Sequence, residues 1–214
     1  MKEYTKIANI FKFDEKYRTI LGMTDTYESL KNLIWQGSEK CDGTNVRVFW
    51  DGHEITFGGR TDKAEIPSFL LEYLESVFKT QEMEYVFEQI FGEKETFLFG
   101  EGYGPKIQKG GGDYSDTVKF ILFDVMIGDA YLLRKDVDDI AQRLGLDSVP
   151  VVFEGTLDEA IEYVKEHHMS TLGNGKHEME GLVLEPKGIR LYDARFHPIK
   201  CKCKYRDIVK GENS

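Results

Sequence analysis

Short β-branched and aromatic runs recur along this chain, and that recurrence restricts its architecture more than any other feature. Val46-Arg47-Val48-Phe49-Trp50 is followed by Asp51-Gly52, a hairpin turn signal, and then by Glu54-Ile55-Thr56-Phe57. Further strands are predicted at Thr96 to Gly100, Lys119 to Val125, Gly181 to Glu185 and Ile199 to Tyr205. Helical spacing is confined to fewer stretches. From Pro67 to Phe91 apolar residues recur at Leu70, Tyr73, Leu74, Val77, Phe78, Met83, Val86, Phe87 and Ile90, which predicts a helix opened by Pro67 and ended by Gly92. Val137, Ile140, Ala141 and Leu144 mark another, ending at Gly145. Thr156 with Glu159 is a capping box that opens a third. Met169 to Glu178 is polar and reads as a loop. Strands that outnumber helices along the whole length predict an α+β class built on antiparallel sheets.

With 214 residues the chain reads as a single domain, 1–214, long enough to bury a core without staples. No apolar run approaches the roughly 20 residues that cross a bilayer. Met1 to Asn9 has no apolar signal region, and Cys41, Cys201 and Cys203 do not make a disulfide framework. The expectation is a reduced cytoplasmic protein with no membrane partner. The net charge of −10 argues against a nucleic-acid binder with an overall basic face. Arg195 to Lys210 nevertheless holds Arg195, Lys200, Lys202, Lys204, Arg206 and Lys210 against the single acid Asp207, a local basic site suited to polyphosphate chemistry.

Several short patterns carry chemistry. In Glu39-Lys40-Cys41-Asp42-Gly43-Thr44-Asn45 a lysine and a carboxylate precede a glycine just before a hairpin. A lysine nucleophile must be neutral, and a glycine lets backbone approach a phosphate; by itself the pattern also describes an exposed turn. Phe99-Gly100-Glu101-Gly102-Tyr103-Gly104-Pro105-Lys106-Ile107-Gln108-Lys109 lacks the spacing and following helix of a dinucleotide loop. It leaves Glu101 as either a turn residue or a sugar-binding carboxylate. Asp124 lies inside the apolar run from Phe120 to Val125, a costly place for an unpaired acid. Glu180 stands at the mouth of an apolar strand, where it is a candidate metal ligand. Lys200, Lys202 and Lys204 alternate with Cys201 and Cys203, so the ammonium groups share one face and the thiols the other. That face is either solvent-exposed or turned to phosphates. Cys-x-Cys alone does not make a zinc site.

The order of these patterns from Lys40 to Tyr205 resembles the collinear motifs of the covalent nucleotidyltransferases, which include DNA ligases, RNA ligases and mRNA capping enzymes. Asn45, the Gly104 to Lys109 stretch and Ile199-Lys200-Cys201-Lys202 are similar to the phage RNA ligases that seal nicks in duplex RNA, the RNA ligase 2-like branch. Glu185 departs from that branch, which often has lysine there. The resemblance implies an ATP-grasp-like, antiparallel-sheet adenylyltransferase domain with no OB-fold domain. It implies an ATP-dependent RNA ligase joining RNA 3′-hydroxyl and 5′-phosphate ends through a lysine–AMP intermediate and an adenylylated RNA 5′ end. A DNA ligase, a capping enzyme and a non-catalytic RNA-binding relative are the alternatives.

By the same resemblance Lys40 is the nucleophile, Lys200 and Lys202 neutralise the α-phosphate, and Glu180 holds Mg2+. Glu101 binds ribose, Phe123 stacks on adenine, Glu39 reads its edge, and Asp42 and Asp124 belong to the nucleotide site. Asn45 and Arg60 position the RNA ends. An accessory protein is a candidate partner for gripping RNA. In a regular strand Phe123 and Asp124 point to opposite faces. Either the strand bulges there, or Phe120 or Leu122 covers the base.

Overall fold

A computed structural model describes residues 1–16, 19–108, 111–173 and 175–212. The N-terminal segment contains β1 (Ala8–Asn9), β2 (Phe11–Phe13), β3 (Ile20–Met23), α1 (Asp25–Leu30) and β4 (Trp35–Glu39). The middle holds β5 (Thr44–Trp50), β6 (Ile55–Gly59), α2 (Ser68–Phe78), α3 (Gln81–Phe91), β7 (Thr96–Tyr103), α4 (Gly111–Tyr114), β8 (Lys119–Ile127), β9 (Ala130–Tyr131), α5 (Arg134–Leu144) and β10 (Asp147–Ser148). The last part holds β11 (Val151–Gly155), α6 (Leu157–Lys165), β12 (Gly181–Pro186), β13 (Cys201–Lys204) and α7 (Tyr205–Glu212). Contacts group these into two compact units, Met1–Tyr4 with Cys41–Val149, and Thr5–Lys40 with Pro150 onward. The class is mixed α+β on largely antiparallel sheets, as predicted; the pairings β1–β13 and β8–β10 are parallel. No helix among the described residues is long and apolar enough to cross a membrane.

The first unit is built on a six-stranded sheet whose main path is β10-β8-β7-β5-β6. Alternation sends Val46, Val48, Trp50, Leu98, Phe120, Leu122 and Val125 to one face, where Leu70, Leu74, Phe78, Phe87 and Val137 of the helices cover them. Phe97, Phe99 and Met126 face the other way, with Tyr4, Phe49, Phe123 and Tyr131 packed on them. Helical spacing between Pro67 and Phe91 predicts one helix; there are two. The apolar series skips from Phe78 to Met83, and Thr80 adopts extended backbone and accepts a hydrogen bond from the Met83 amide at 3.1 Å. A side-chain cap in mid-pattern starts a new helix.

In the second unit the five-stranded sheet runs β1-β13-β12-β4-β11. Its apolar face presents Trp35, Leu182, Leu184, Cys201 and Cys203 to Leu157, Ala160 and Val164 of α6 and Ile208 of α7. The capping box of Thr156 and Glu159 is present at the start of α6, and Gly145 closes α5 in the left-handed conformation. The strand expected over Ile199 to Tyr205 is shorter, because Tyr205 already begins α7.

Candidate active site

The period of two places Lys202 and Lys204 on the sheet face opposite Cys201 and Cys203, which belong to the core of the second unit. Lys40 follows β4, and its amide donates to the Gly181 carbonyl at 2.9 Å, which sets it beside the start of β12. Its Nζ lies 2.6 Å from Glu180 Oε2, while Lys204 Nζ lies 3.1 Å from Glu180 Oε1. Burial pushes the Glu180 carboxyl up, but Lys40 and Lys204 outweigh it and hold the group below the usual carboxylate range. Lys202 is opposite Val183 in the register. Burial, then the ammonium groups of Lys204, Lys40 and Lys6, hold Lys202 below the usual lysine range, with Asp207 acting the other way. Lys40, Glu180, Lys202 and Lys204 are thus one electrostatic cluster.

Gly181 is required by this arrangement. Its φ is +150°, and a Cβ there would lie 2.1 Å from the Cys203 carbonyl oxygen. Glu180 is therefore brought to the lysine strand by a close backbone approach that only glycine permits.

Lys200 is held differently from the other lysines. It is buried, with Nζ 3.1 Å from Glu185, and its carbonyl accepts from the Tyr27 hydroxyl at 2.9 Å. Glu185 also pairs with Arg190 at 2.6 Å and accepts from Gln36 Nε2 at 2.9 Å. Burial pushes the Glu185 carboxyl up, yet Lys200, Arg190 and Gln36 together hold it at about 2. Glu185, the position that departs from the resemblance, is thus the counter-ion of Lys200.

Glu39, buried at the end of β4, accepts from the Ser170 hydroxyl, from the Thr171 amide at 2.8 Å and from the Thr171 hydroxyl at 2.6 Å. Both of its carboxylate oxygens are engaged by the loop before β12. The thiols of Cys201 and Cys203 are buried in the core. Burial, then Cys203, pushes Cys201 well up; burial and Asp207 push Cys203 up to about 12 against the pull of Lys165. Neither is a thiolate at neutral pH.

The first unit carries the remaining expected residues. Asn45 and Glu101 are register partners across β5 and β7, on the face that also bears Phe97 and Phe99. Asn45 Oδ1 is buried and meets no hydrogen-bond donor among the described residues. The pairing of β7 with β8 passes from Phe99–Asp124 to Gly100–Leu122 and skips Phe123. This bulge settles the facing problem. Phe123 and Asp124 both reach the aromatic side, where Tyr4 packs on Phe123 at 5.1 Å between ring centroids and donates its hydroxyl to Asp124 at 3.0 Å. Phe120 and Leu122 belong to the helix-covered core instead.

Asp42 is exposed in the loop before β5, and Arg60 is exposed just after β6. Gly43 has an ordinary reason to be glycine: a Cβ would stand 2.3 Å from the Gly102 carbonyl oxygen. The Gly43 carbonyl accepts from Gln108 at 3.0 Å; Lys109 of the same stretch lies outside the described residues. Tyr4, Lys204, Arg190, Ser170 and Thr171 are not apparent from short motifs. Except for Arg190, five residues from Glu185, their partners are distant in sequence, and only the period-two pattern of the lysine strand points to one of them, Lys204.

The fold defines a class. Structures of an RNA ligase from Naegleria gruberi match over nearly all of the chain. A mutant form with ATP and manganese has a TM-score of 0.69 at 16% identity, covering 100% of this chain and 59% of that one. A form with pyrophosphate has a TM-score of 0.69 at 17% identity, covering 99% and 58%. Another mutant, with AMP and manganese, has a TM-score of 0.68 at 17% identity, covering 97% and 57%. The chain therefore spans less than two thirds of the length of these proteins. No curated protein matches by sequence. A family model described as RNA ligase matches residues 33–207, and the chain belongs to that family.

Proposed function

We propose that the chain carries the nucleotidyltransfer chemistry of an ATP-dependent RNA ligase. It joins RNA 3′-hydroxyl and 5′-phosphate ends through AMP held on Lys40. The observation that carries this reading is Lys40 paired with Glu180 and flanked by Lys202 and Lys204, in a chain of the RNA ligase family. The neutral amine of Lys40 attacks the α-phosphorus of ATP. The bond to the bridging oxygen breaks, pyrophosphate leaves with the electron pair, and the nitrogen's proton passes to water. An oxygen of the RNA 5′-phosphate then takes the AMP, and Lys40 recovers a proton. Finally the 3′-hydroxyl attacks the activated 5′-phosphate and AMP departs.

Lys202 supplies a cation close to Lys40 and neutralises charge on the α-phosphate as it develops. Lys204 keeps Glu180 compensated once Lys40 has lost its charge. Lys200, bound to Glu185, fixes the start of the strand. Glu101 binds ribose, and Phe123 stacks on adenine with its ring braced by Tyr4. Asp42 and Asp124 complete the nucleotide contacts. Glu39 reads the adenine edge, with its carboxylate oriented by Ser170 and Thr171. Asn45, with its open buried acceptor, and Arg60 position the RNA ends.

Two of the matched structures contain manganese, and Glu180 is the carboxylate of this cluster that would hold a magnesium or manganese ion arriving with the nucleotide. Bound there, the ion supplies Lewis-acid stabilisation of phosphate charge.

Incubation with ATP labelled at the α-phosphate, followed by a denaturing gel, tests the reading. The wild type should retain label and Lys40→Ala should retain none; labelled GTP and NAD should give none with either. Undiminished label on the Lys40 variant removes it as nucleophile. The wild type should also seal an RNA 3′-hydroxyl faster than a DNA one, because the 2′-hydroxyl offers an extra contact. Equal rates would favour a DNA ligase.

A further inference from the structure

The hairpin between β12 and β13 holds an aromatic side chain where folding alone has no use for it. Phe196 is 84% exposed and has φ +61°, a left-handed conformation that is costly for a bulky residue. Its turn is locked on both sides. The Asp193 carboxylate accepts from the amides of Arg195 at 2.8 Å and His197 at 2.9 Å. The Phe196 amide donates to the Asp193 carbonyl at 3.0 Å, and Asp193 in turn donates to His197 at 2.9 Å. Lower down, Tyr192 bridges to Pro198, and the Ile199 amide donates to Leu191 at 2.8 Å.

The foot of the hairpin is equally fixed. Arg190 on one side and Lys200 on the other both bind Glu185, so the turn is tied to the lysine strand itself. Strain of this kind persists where the surrounding bonds over-determine it, and it clusters at ligand clamps. The exposed residues of the turn beside Phe196 are Tyr192, Asp193, Ala194 and Arg195, which include a cation and a second ring. Asp193, the acid of the turn, is itself exposed, and its carboxylate is occupied by backbone amides and by His197 Nδ1 at 3.3 Å. A rigid aromatic tip with an adjacent guanidinium matches what unpaired nucleic-acid bases require: a ring to stack on and a cation for the phosphate.

We infer that Phe196 and Arg195 form a stacking platform for an unpaired or terminal RNA base, holding the RNA against the strand that follows Lys200. The inference rests on the ligase reading and adds to it a means of gripping RNA that is separate from the AMP-transfer residues. A protein partner is the less favoured occupant, because one ring beside one cation offers little apolar area for a stable protein interface.

The test separates the two claims. Phe196→Ala, Phe196→Trp and Arg195→Ala are compared with wild type in four measurements: AMP labelling by ATP, binding of a fluorescent RNA oligonucleotide by anisotropy, sealing of RNA that already carries a 5′-adenylate, and sedimentation velocity. Base stacking on an aromatic contributes about 1–3 kcal/mol, so Phe196→Ala should weaken RNA binding by roughly 5- to 150-fold and slow sealing. AMP labelling should stay within about twofold of wild type, Phe196→Trp should bind RNA as wild type does, and Arg195→Ala should lessen the salt dependence of binding. RNA binding and sealing unchanged in Phe196→Ala would overturn the inference while leaving the ligase reading intact. Unchanged RNA binding with an altered sedimentation coefficient would overturn it in favour of a protein contact. Absence of AMP labelling in the wild type would instead remove the ligase reading itself.

Discussion

Among single residues, Glu185 shows most clearly how a departure from a motif acquires meaning from its partners. Its carboxylate is shared by Arg190 and Lys200, both largely buried. Removing one member of such a set strands the other charges, which costs far more than the pair contributes in isolation. Glu185→Gln should therefore destabilise the protein by about 2–4 kcal/mol at pH 7, read from urea denaturation. The pH dependence follows from the folded value of about 2. That value is depressed from an unfolded one of about 4.3, so the carboxylate's contribution is complete above the unfolded value and is lost as pH falls towards the folded one. The stability gap between wild type and Glu185→Gln should narrow between about pH 4.3 and about pH 2. A gap that stays constant across that range would show that the charges of Arg190 and Lys200 do not cause it. Lys200, Lys202 and Lys204 look equivalent as a repeat, but their partners make them unlike: Glu185 for the first, neighbouring cations for the second and Glu180 for the third.

At the scale of elements, the loop between β4 and β5 depends on how closely two backbones can approach. Gly43 faces the Gly102 carbonyl so tightly that a methyl group has no room. Gly43→Ala must push the loop away from β7, and reacting groups displaced by about an ångström lose much of their rate. Adenylylation of Gly43→Ala should fall by about 100-fold, measured as the initial rate of AMP labelling, while circular dichroism stays that of a folded protein. A wild-type rate would mean that the loop tolerates the shift. The β8 bulge acts at the same scale. One skipped residue turns Phe123 to the side of Asp124, a change that alternation in the sequence does not reveal. The break between α2 and α3 was legible afterwards in the five-residue step from Phe78 to Met83, but the apolar series on either side conceals it.

For the whole molecule, a net charge of −10 coexists with a concentrated set of lysines on one sheet face of the second unit. A polyanionic ligand bound there stabilises the folded state by mass action, since the unfolded chain scatters the same lysines. An ATP analogue that cannot transfer AMP, at about 100 times its dissociation constant, adds about 2.7 kcal/mol. For a chain of this size that amounts to a rise in melting temperature of roughly 5–10 °C, measured by calorimetry with magnesium present throughout. Lys202→Ala should lose most of the rise. No shift in the wild type would remove ATP as the ligand.

The residue order by itself determined the α+β class, most helix ends, the sharing of one face by Lys200, Lys202 and Lys204, and the motif series from Lys40 to Lys202. Those properties depend on local periodicity, capping and turn chemistry, which a linear sequence carries directly. Tertiary structure alone decided which counter-ion each lysine takes, that Glu39 is held by Ser170 and Thr171, that Tyr4 closes over Asp124, and that Phe196 is held out on a locked turn. Each of these rests on a contact between distant parts of the chain or on a single register shift, and neither leaves a periodic signal for sequence to carry.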